Sequence, residues 1–308
     1  MRKYTLFSTN GCKNVSLTNA YMSSIVAIKR LRLAMAALMF GVWCSVTFAA
    51  ADLQSLPRWE VGIGLGMLSL PFYRGADSGR NYILPIPYIQ YRGEHVRVDE
   101  EGIRSALFSR GNARLNISLA GGVPVSSDGN SARYGMPSLD PTVEIGPSLQ
   151  FLLWYPEARD RALWLKFPLR TALSVAWKNI EYQGWVFAPY LDYRMVRGDP
   201  AKPWTITLSL GPQFADRRYH DYFYEVASDY ATPQRPEYHA TSGYSGSRIT
   251  LGVQKKFDGY WLGTFVRYDN LQGAVFSDSP LVQQQHYYAL GVALVKLLAV
   301  SKQSAESP

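Results

Sequence analysis

Trp59-Glu60-Val61-Gly62-Ile63-Gly64-Leu65-Gly66-Met67 alternates without a break. Side chains of an extended chain point to opposite faces in turn, so residues 59, 61, 63, 65 and 67 form an apolar face. Glu60 and three glycines form the other. These glycines do not make a nucleotide loop, because the third is at the wrong interval for G-x-G-x-x-G and the stretch is strand throughout. They describe a strand whose second face is small, as packing inside a barrel requires.

The same two-residue period recurs at 82–88, 115–119, 143–153 and 163–169. Further strands are expected at 185–195, 204–214, 249–257, 260–271 and 287–298, with a weaker hairpin joining 96–98 to 103–108. No stretch after Ala51 reaches the roughly 18 apolar residues that a membrane helix requires. Connections sort by parity: 124–140, 215–245 and 272–285 are long, whereas 109–112, 197–202 and 258–259 are short. An up-and-down barrel produces this pattern, since every second connection lies at the same end. The expected fold is all-β, a transmembrane antiparallel β-barrel of ten strands, or twelve with the weak hairpin.

A soluble barrel or sandwich shows identical alternation. Strand length, loop parity and the N-terminal leader favour the membrane. Aromatic residues near strand ends, among them Trp59, Tyr73, Tyr88, Trp154, Trp204, Tyr260 and Trp261, suit a bilayer interface. Pro85, Pro87, Pro147, Pro168, Pro189 and Pro212 fit least well, because each removes a ladder donor, and they are expected at bulges or strand ends.

Lys29, Arg30 and Arg32 precede an apolar run that ends at Ala49-Ala50-Ala51, the order of a secretory leader. Three parts are therefore expected: a signal peptide at 1–51 whose N-terminus is long for a leader, so that Met22 is an alternative start, a barrel at 52–300 and a tail at 301–308. The leader holds six basic residues and no acidic one, so of 32 Lys+Arg and 24 Asp+Glu it leaves 26 against 24. The remainder is nearly neutral, and no nucleic-acid partner is expected. Cys12 and Cys44, the two cysteines of the chain, fall in the leader, leaving neither disulfide nor thiolate metal site in the mature part.

Four histidines, at 95, 220, 239 and 286, include no pair at helical zinc spacing. Neither a metal nor a cofactor is implied. A serine hydrolase needs a histidine beside its serine, and His286 with Ser277 or Ser279, or His239 with Ser242, can be drawn on paper. No G-x-S-x-G and no third acidic member accompanies them, so the chain reads as non-enzymatic. The candidate contact surface for a ligand or partner is the loop rich in rings and charge, with Tyr219, Tyr222, Tyr224, Arg235, Tyr238 and Tyr244 as its residues. The same composition also suits a loop packed into the barrel mouth. Arg170, Asp192, Arg194, Arg267 and Asp269 fall on inward positions, where they either line a solvent path or pair with one another.

Two strings are distinctive: Pro71-Phe72-Tyr73-Arg74-Gly75-Ala76-Asp77, followed by 84–88, and Arg267-Tyr268-Asp269-Asn270-Leu271-Gln272-Gly273-Ala274-Val275-Phe276 with Ser279-Pro280-Leu281-Val282. With 222–226 and 238–246 they make the chain, from about residue 59 to 294, resemble the MipA/OmpV family of MltA-interacting outer-membrane proteins. The resemblance implies a barrel in the bacterial outer membrane, in contact with its lipid. It also implies a scaffold that brings a lytic transglycosylase together with a murein synthase. A pore or small-ligand-binding barrel is the alternative. The chain departs from common barrels in running on past Val300 without a terminal aromatic residue. No catalytic residue carries over.

Overall fold

The computed structural model describes residues 57–303 apart from 94–95, 100–101, 106–107, 129–131, 177 and 200–201. The leader, the end of the tail and Trp177 lie outside the described residues. Among the described residues the chain forms one antiparallel sheet of 14 strand segments with a single α-helix. In order they are β1 (Trp59–Pro71), β2 (Gly79–Arg92), β3 (Val96–Asp99), β4 (Gly102–Ser105), β5 (Phe108–Arg110), β6 (Ala113–Gly122), β7 (Thr142–Trp154), β8 (Arg161–Val175), β9 (Ile180–Phe187), β10 (Tyr190–Arg197), β11 (Trp204–Ala215), α1 (Arg217–Tyr224), β12 (Gly243–Phe257), β13 (Tyr260–Asn270) and β14 (His286–Val300).

Neighbours in sequence are neighbours in the sheet, and β1 pairs with both β2 and β14. The first strand is thus bonded to the last. The path of bonded neighbours ends at β4 and β5, and β4 packs against β6, so its two ends adjoin. β9 and β10 share β8: Ile180–Phe187 covers its upper part and Tyr190–Arg197 its lower part. They are one strand broken at Ala188-Pro189. If β4 and β5 are counted likewise as one interrupted strand, the sheet has twelve strand positions.

The prolines explain themselves. Pro85 and Pro87 lie where β2 is bonded on one side only, since β3 reaches no further than Tyr91 and Arg92. Pro168 and Pro189 sit at the gap between β9 and β10, and Pro212 at the register shift of β11 against β12. Pro147 falls where the ladder of β7 with β8 skips from Ile145 to Ser148. Each missing N–H is where no ladder bond is asked of it.

Burial is inverted relative to a soluble protein. Along β1, Ile63, Leu65 and Met67 are more than half exposed, while Glu60 is 1% exposed. Along β14, Leu290, Val292 and Leu294 face out and Ala289 and Val295 face in. On β7, β8, β10 and β13 the buried side chains include Glu144, Lys166, Arg170, Asp192 and Asp269. An apolar outside over a polar inside is the arrangement that hydrocarbon around the sheet selects. At the end with short turns, Trp59, Trp154, Trp204, Phe257 and Tyr260 form an exposed aromatic girdle. Tyr88 and Trp261 instead turn inward and meet with ring centroids 5.5 Å apart. Tyr73 is buried among the loops of the opposite end.

The glycine face of β1 is a close-approach surface. A Cβ on Gly64 would stand 2.0 Å from the Leu294 carbonyl oxygen, so β14 lies where no side chain fits.

Candidate functional site: a lidded chamber with an arginine centre

All long connections leave the sheet at one end, and they fold together there. Phe72, Val125, Leu139, Tyr224, Phe276 and Leu281, from four different loops, share one apolar cluster. α1 is its centrepiece. Asp216 caps the helix by accepting from the Tyr219 N–H at 3.0 Å, and it also accepts from the Trp185 N–H. Helical spacing then places His220 and Tyr224 on one buried face, where Tyr224 stacks on Phe276 at 3.8 Å and His220 meets the same ring edge-on at 4.9 Å. The mouth is covered by structure with its own core.

The six residues expected at a contact surface divide. Tyr219 and Tyr224 are buried, their hydroxyls donating to Glu144 and to the Arg74 carbonyl. Burial, then the adjacent Glu144, push the Tyr219 phenol far up, so it stays a proton donor. Tyr222 donates to the Asp140 carbonyl, and burial with the Asp140 charge pushes it up to about 12. Arg235 ties the carbonyls of Tyr230, Ala132 and Tyr134 together, and Tyr238 donates to the Val275 carbonyl. Tyr244 faces outward from β12 against Phe214. Five of the six therefore hold the lid together, and Tyr244 stands apart from them.

Beneath the lid lies a charge centre that composition does not reveal. Asp269, 0% exposed, is approached by three arginines through their Nε atoms: Arg267 at 2.8 Å, Arg248 at 3.0 Å and Arg74 at 3.4 Å. Arg74 also donates through Nε to the Tyr287 hydroxyl and through Nη1 to Gln213. Gly246, at φ +98°, makes room for it, since a Cβ there would sit 3.1 Å from Arg74 Nη2. Nearby, Arg170 donates to Glu144 at 2.9 Å and to Ser118. Lower in the barrel Lys166 pairs with Asp192 at 2.8 Å, and near the short turns Glu60 pairs with Arg92 and Lys256. The inward charges expected from sequence at 170, 192, 267 and 269 are thus paired.

Chemistry of other kinds finds little footing. His220 bonds Ser245 Oγ at 2.6 Å, but both are fully buried and the other ring nitrogen is taken by the Thr241 carbonyl. That is a structural pair with no route for a substrate. Ser242 accepts from the Arg217 N–H, Ser279 donates to the Tyr224 carbonyl, and His286 faces Tyr268. Asp221, Glu225 and His239 bring metal-type donors within 4.8 Å of one another. Asp221, however, already accepts from Ala240 N–H and Arg217, and Glu225 and Glu237 flank His239.

The two distinctive strings of the sequence meet at the chamber. Tyr73 donates to the Leu281 carbonyl at 2.7 Å, the Gly75 carbonyl accepts from the N–H groups of Gln283 and Gln284, and Arg74 reaches Asp269. The family model described as MltA-interacting protein MipA matches residues 63–296, which includes both strings. The chain belongs to the MipA family. Within the matched span, residues 71–77 dock against 267–284. No curated protein matches the chain. Among solved structures, the CymD monoaromatic hydrocarbon channel is similar at 10% identity and a TM-score of 0.25, over 80% of this chain and 68% of that one. The toluene transporter TbuX of Ralstonia pickettii is similar at 7% identity and a TM-score of 0.22, over 83% and 75%.

Proposed function

We propose that this MipA-family chain is exported by its first 51 residues to the outer membrane, where it works by contact rather than by catalysis, as a scaffold for murein-processing enzymes. The observation that carries the membrane reading is the inverted burial, with Leu65 and Leu294 outside and Glu60 and Asp269 inside. The family's description as MltA-interacting supports a murein enzyme as partner. In this reading the short-turn end with its aromatic girdle faces the periplasm and offers the contact surface to a lytic transglycosylase and a murein synthase. Free passage of solutes is disfavoured by the covered mouth and by ion pairs at three levels of the interior.

The test is fractionation followed by affinity capture. Mature protein extracted from outer membranes in mild detergent should migrate faster unboiled than boiled, and should retain a lytic transglycosylase on a column. Recovery in the soluble periplasm would remove the membrane reading. An outer-membrane barrel that retains no murein enzyme would leave the architecture and remove the scaffold. Steady porin-sized conductance in planar bilayers would replace contact with transport.

A further inference from the structure

The three arginines around Asp269 approach it through Nε, and apart from Arg74 Nη1, which donates to Gln213, their terminal nitrogens are left for something else. Among the described residues, no hydrogen bond joins a terminal nitrogen of Arg248 or Arg267 to the protein, and Arg74 Nη2 is buried without a partner. These guanidiniums border a cavity of about 400 Å³. The rest of its lining is mixed, with Leu68, Leu70, Phe72 and Phe223 as its apolar part and Thr142 and Gln213 among its polar part. Four arginines, at 74, 170, 248 and 267, face two carboxylates, at 144 and 269, so the chamber carries two positive charges in excess.

A buried donor without a partner, Arg74 Nη2, beside surplus positive charge is costly. What would complete them is an oxyanion, because the planar guanidinium fork matches carboxylate and phosphate oxygens two at a time. The volume lies at the small end of ligand pockets, roughly 300–1,000 Å³. The apolar part of the lining, Leu68, Leu70, Phe72 and Phe223, gives an anion with a hydrocarbon body a contact that an inorganic ion cannot use. The β6 wall, where Ala120, Gly121 and Gly122 present almost no side chain and are exposed, is the open flank.

We propose that this chamber is a binding site for a small organic anion, its oxyanion held by Arg74, Arg248 and Arg267 and its apolar body against Leu68, Leu70 and Phe223. The site is independent of any murein partner.

The experiment is calorimetric titration of the mature chain in neutral detergent with three probes: phthalate, phenyl phosphate and the uncharged phthalamide. At least one anion should bind saturably and phthalamide should not. Phthalate alone would indicate a carboxylate ligand, and phenyl phosphate alone a phosphate. Two variants should weaken binding tenfold or more while keeping heat-modifiable migration: Arg267→Gln, which removes a fork, and Ala120→Trp, which fills the cavity without replacing an arginine. The proposal fails if neither anion binds, if phthalamide binds equally well, or if both variants bind unchanged. The probe comparison needs no variant, so a misfolded mutant leaves the test intact.

Discussion

Asp269→Asn removes the one anion shared by three arginines without changing the shape of the side chain. In the native chamber, three cations stand at 2.8–3.4 Å from one carboxylate that water does not reach. Asparagine can still accept one hydrogen bond from Arg248, but the centre goes from two surplus positive charges to three. Removing one partner of a buried pair costs about 3–5 kcal/mol, and here the cations left behind also repel one another. A loss of about that size in unfolding free energy is expected from urea titration in detergent micelles, followed by heat-modifiable migration and tyrosine fluorescence. Coupling gives the sharper readout. Arg267→Gln relieves crowding among cations, so Asp269→Asn should cost at least about 1 kcal/mol less in that background than alone. A single-variant loss under about 1 kcal/mol, or strict additivity of the two, would refute the reasoning that Asp269 is the counter-ion of the cluster.

Other outcomes follow from the same architecture. Leu65→Arg puts a charge on the apolar outside and should cost about 2–4 kcal/mol in lipid vesicles, whereas Leu65→Phe should be nearly silent in the same unfolding assay. Gly64→Val drives side-chain atoms into the Leu294 carbonyl and should prevent β1 from pairing with β14, seen as loss of the fast-migrating unboiled form. His239 is raised above the ordinary histidine range because its ring N–H groups donate to the carboxylates of Glu225 and Glu237. Its contribution to the lid is therefore fully present below the unfolded pKa of about 6.5 and lost as pH rises through the higher folded value. Trypsin cleavage after Arg235 should accelerate across that window, and His239→Gln should abolish the pH dependence. His220 works in the opposite sense: burial lowers it, so the unfolded lid takes up a proton that the folded one refuses. Stability should fall as pH drops below about 6.5, and His220→Gln should flatten that acid limb in hydrogen exchange of α1 amides.

Alternation, loop parity and the small face of β1 were all legible in the sequence, because strand period is local and each signal sits in a single stretch. The inward position of Arg170, Asp192, Arg267 and Asp269 was readable for the same reason. Their partners were not: Arg74 reaches Asp269 across 195 positions of chain, and register between distant strands leaves no mark in either strand alone. The loop rich in tyrosine was compatible with a contact surface or with packing into the barrel mouth, and hydrophobic cover makes Tyr219 and Tyr224 core residues of the lid. Asp216 directly ahead of Arg217–Tyr224 was the available sign of a helix, since an aspartate there caps the first turn. Tyr88 and Trp261 were read as interface residues from their closeness to strand ends, but strand parity decides the face, and theirs is the inner one.

The bond between first and last strands also governs when the protein can come into being. Glu60 meets Val300, and that contact cannot form until the last strand has been made. Closing so long a loop costs about 2 kcal/mol more entropy than closing a twenty-residue hairpin. Hairpins such as β12–β13 form early and cheaply, while β1 waits with one edge unsatisfied and its apolar face bare. The chain must then be escorted in that state, since an open strand edge is the part of an unfinished sheet most prone to pair with the wrong neighbour.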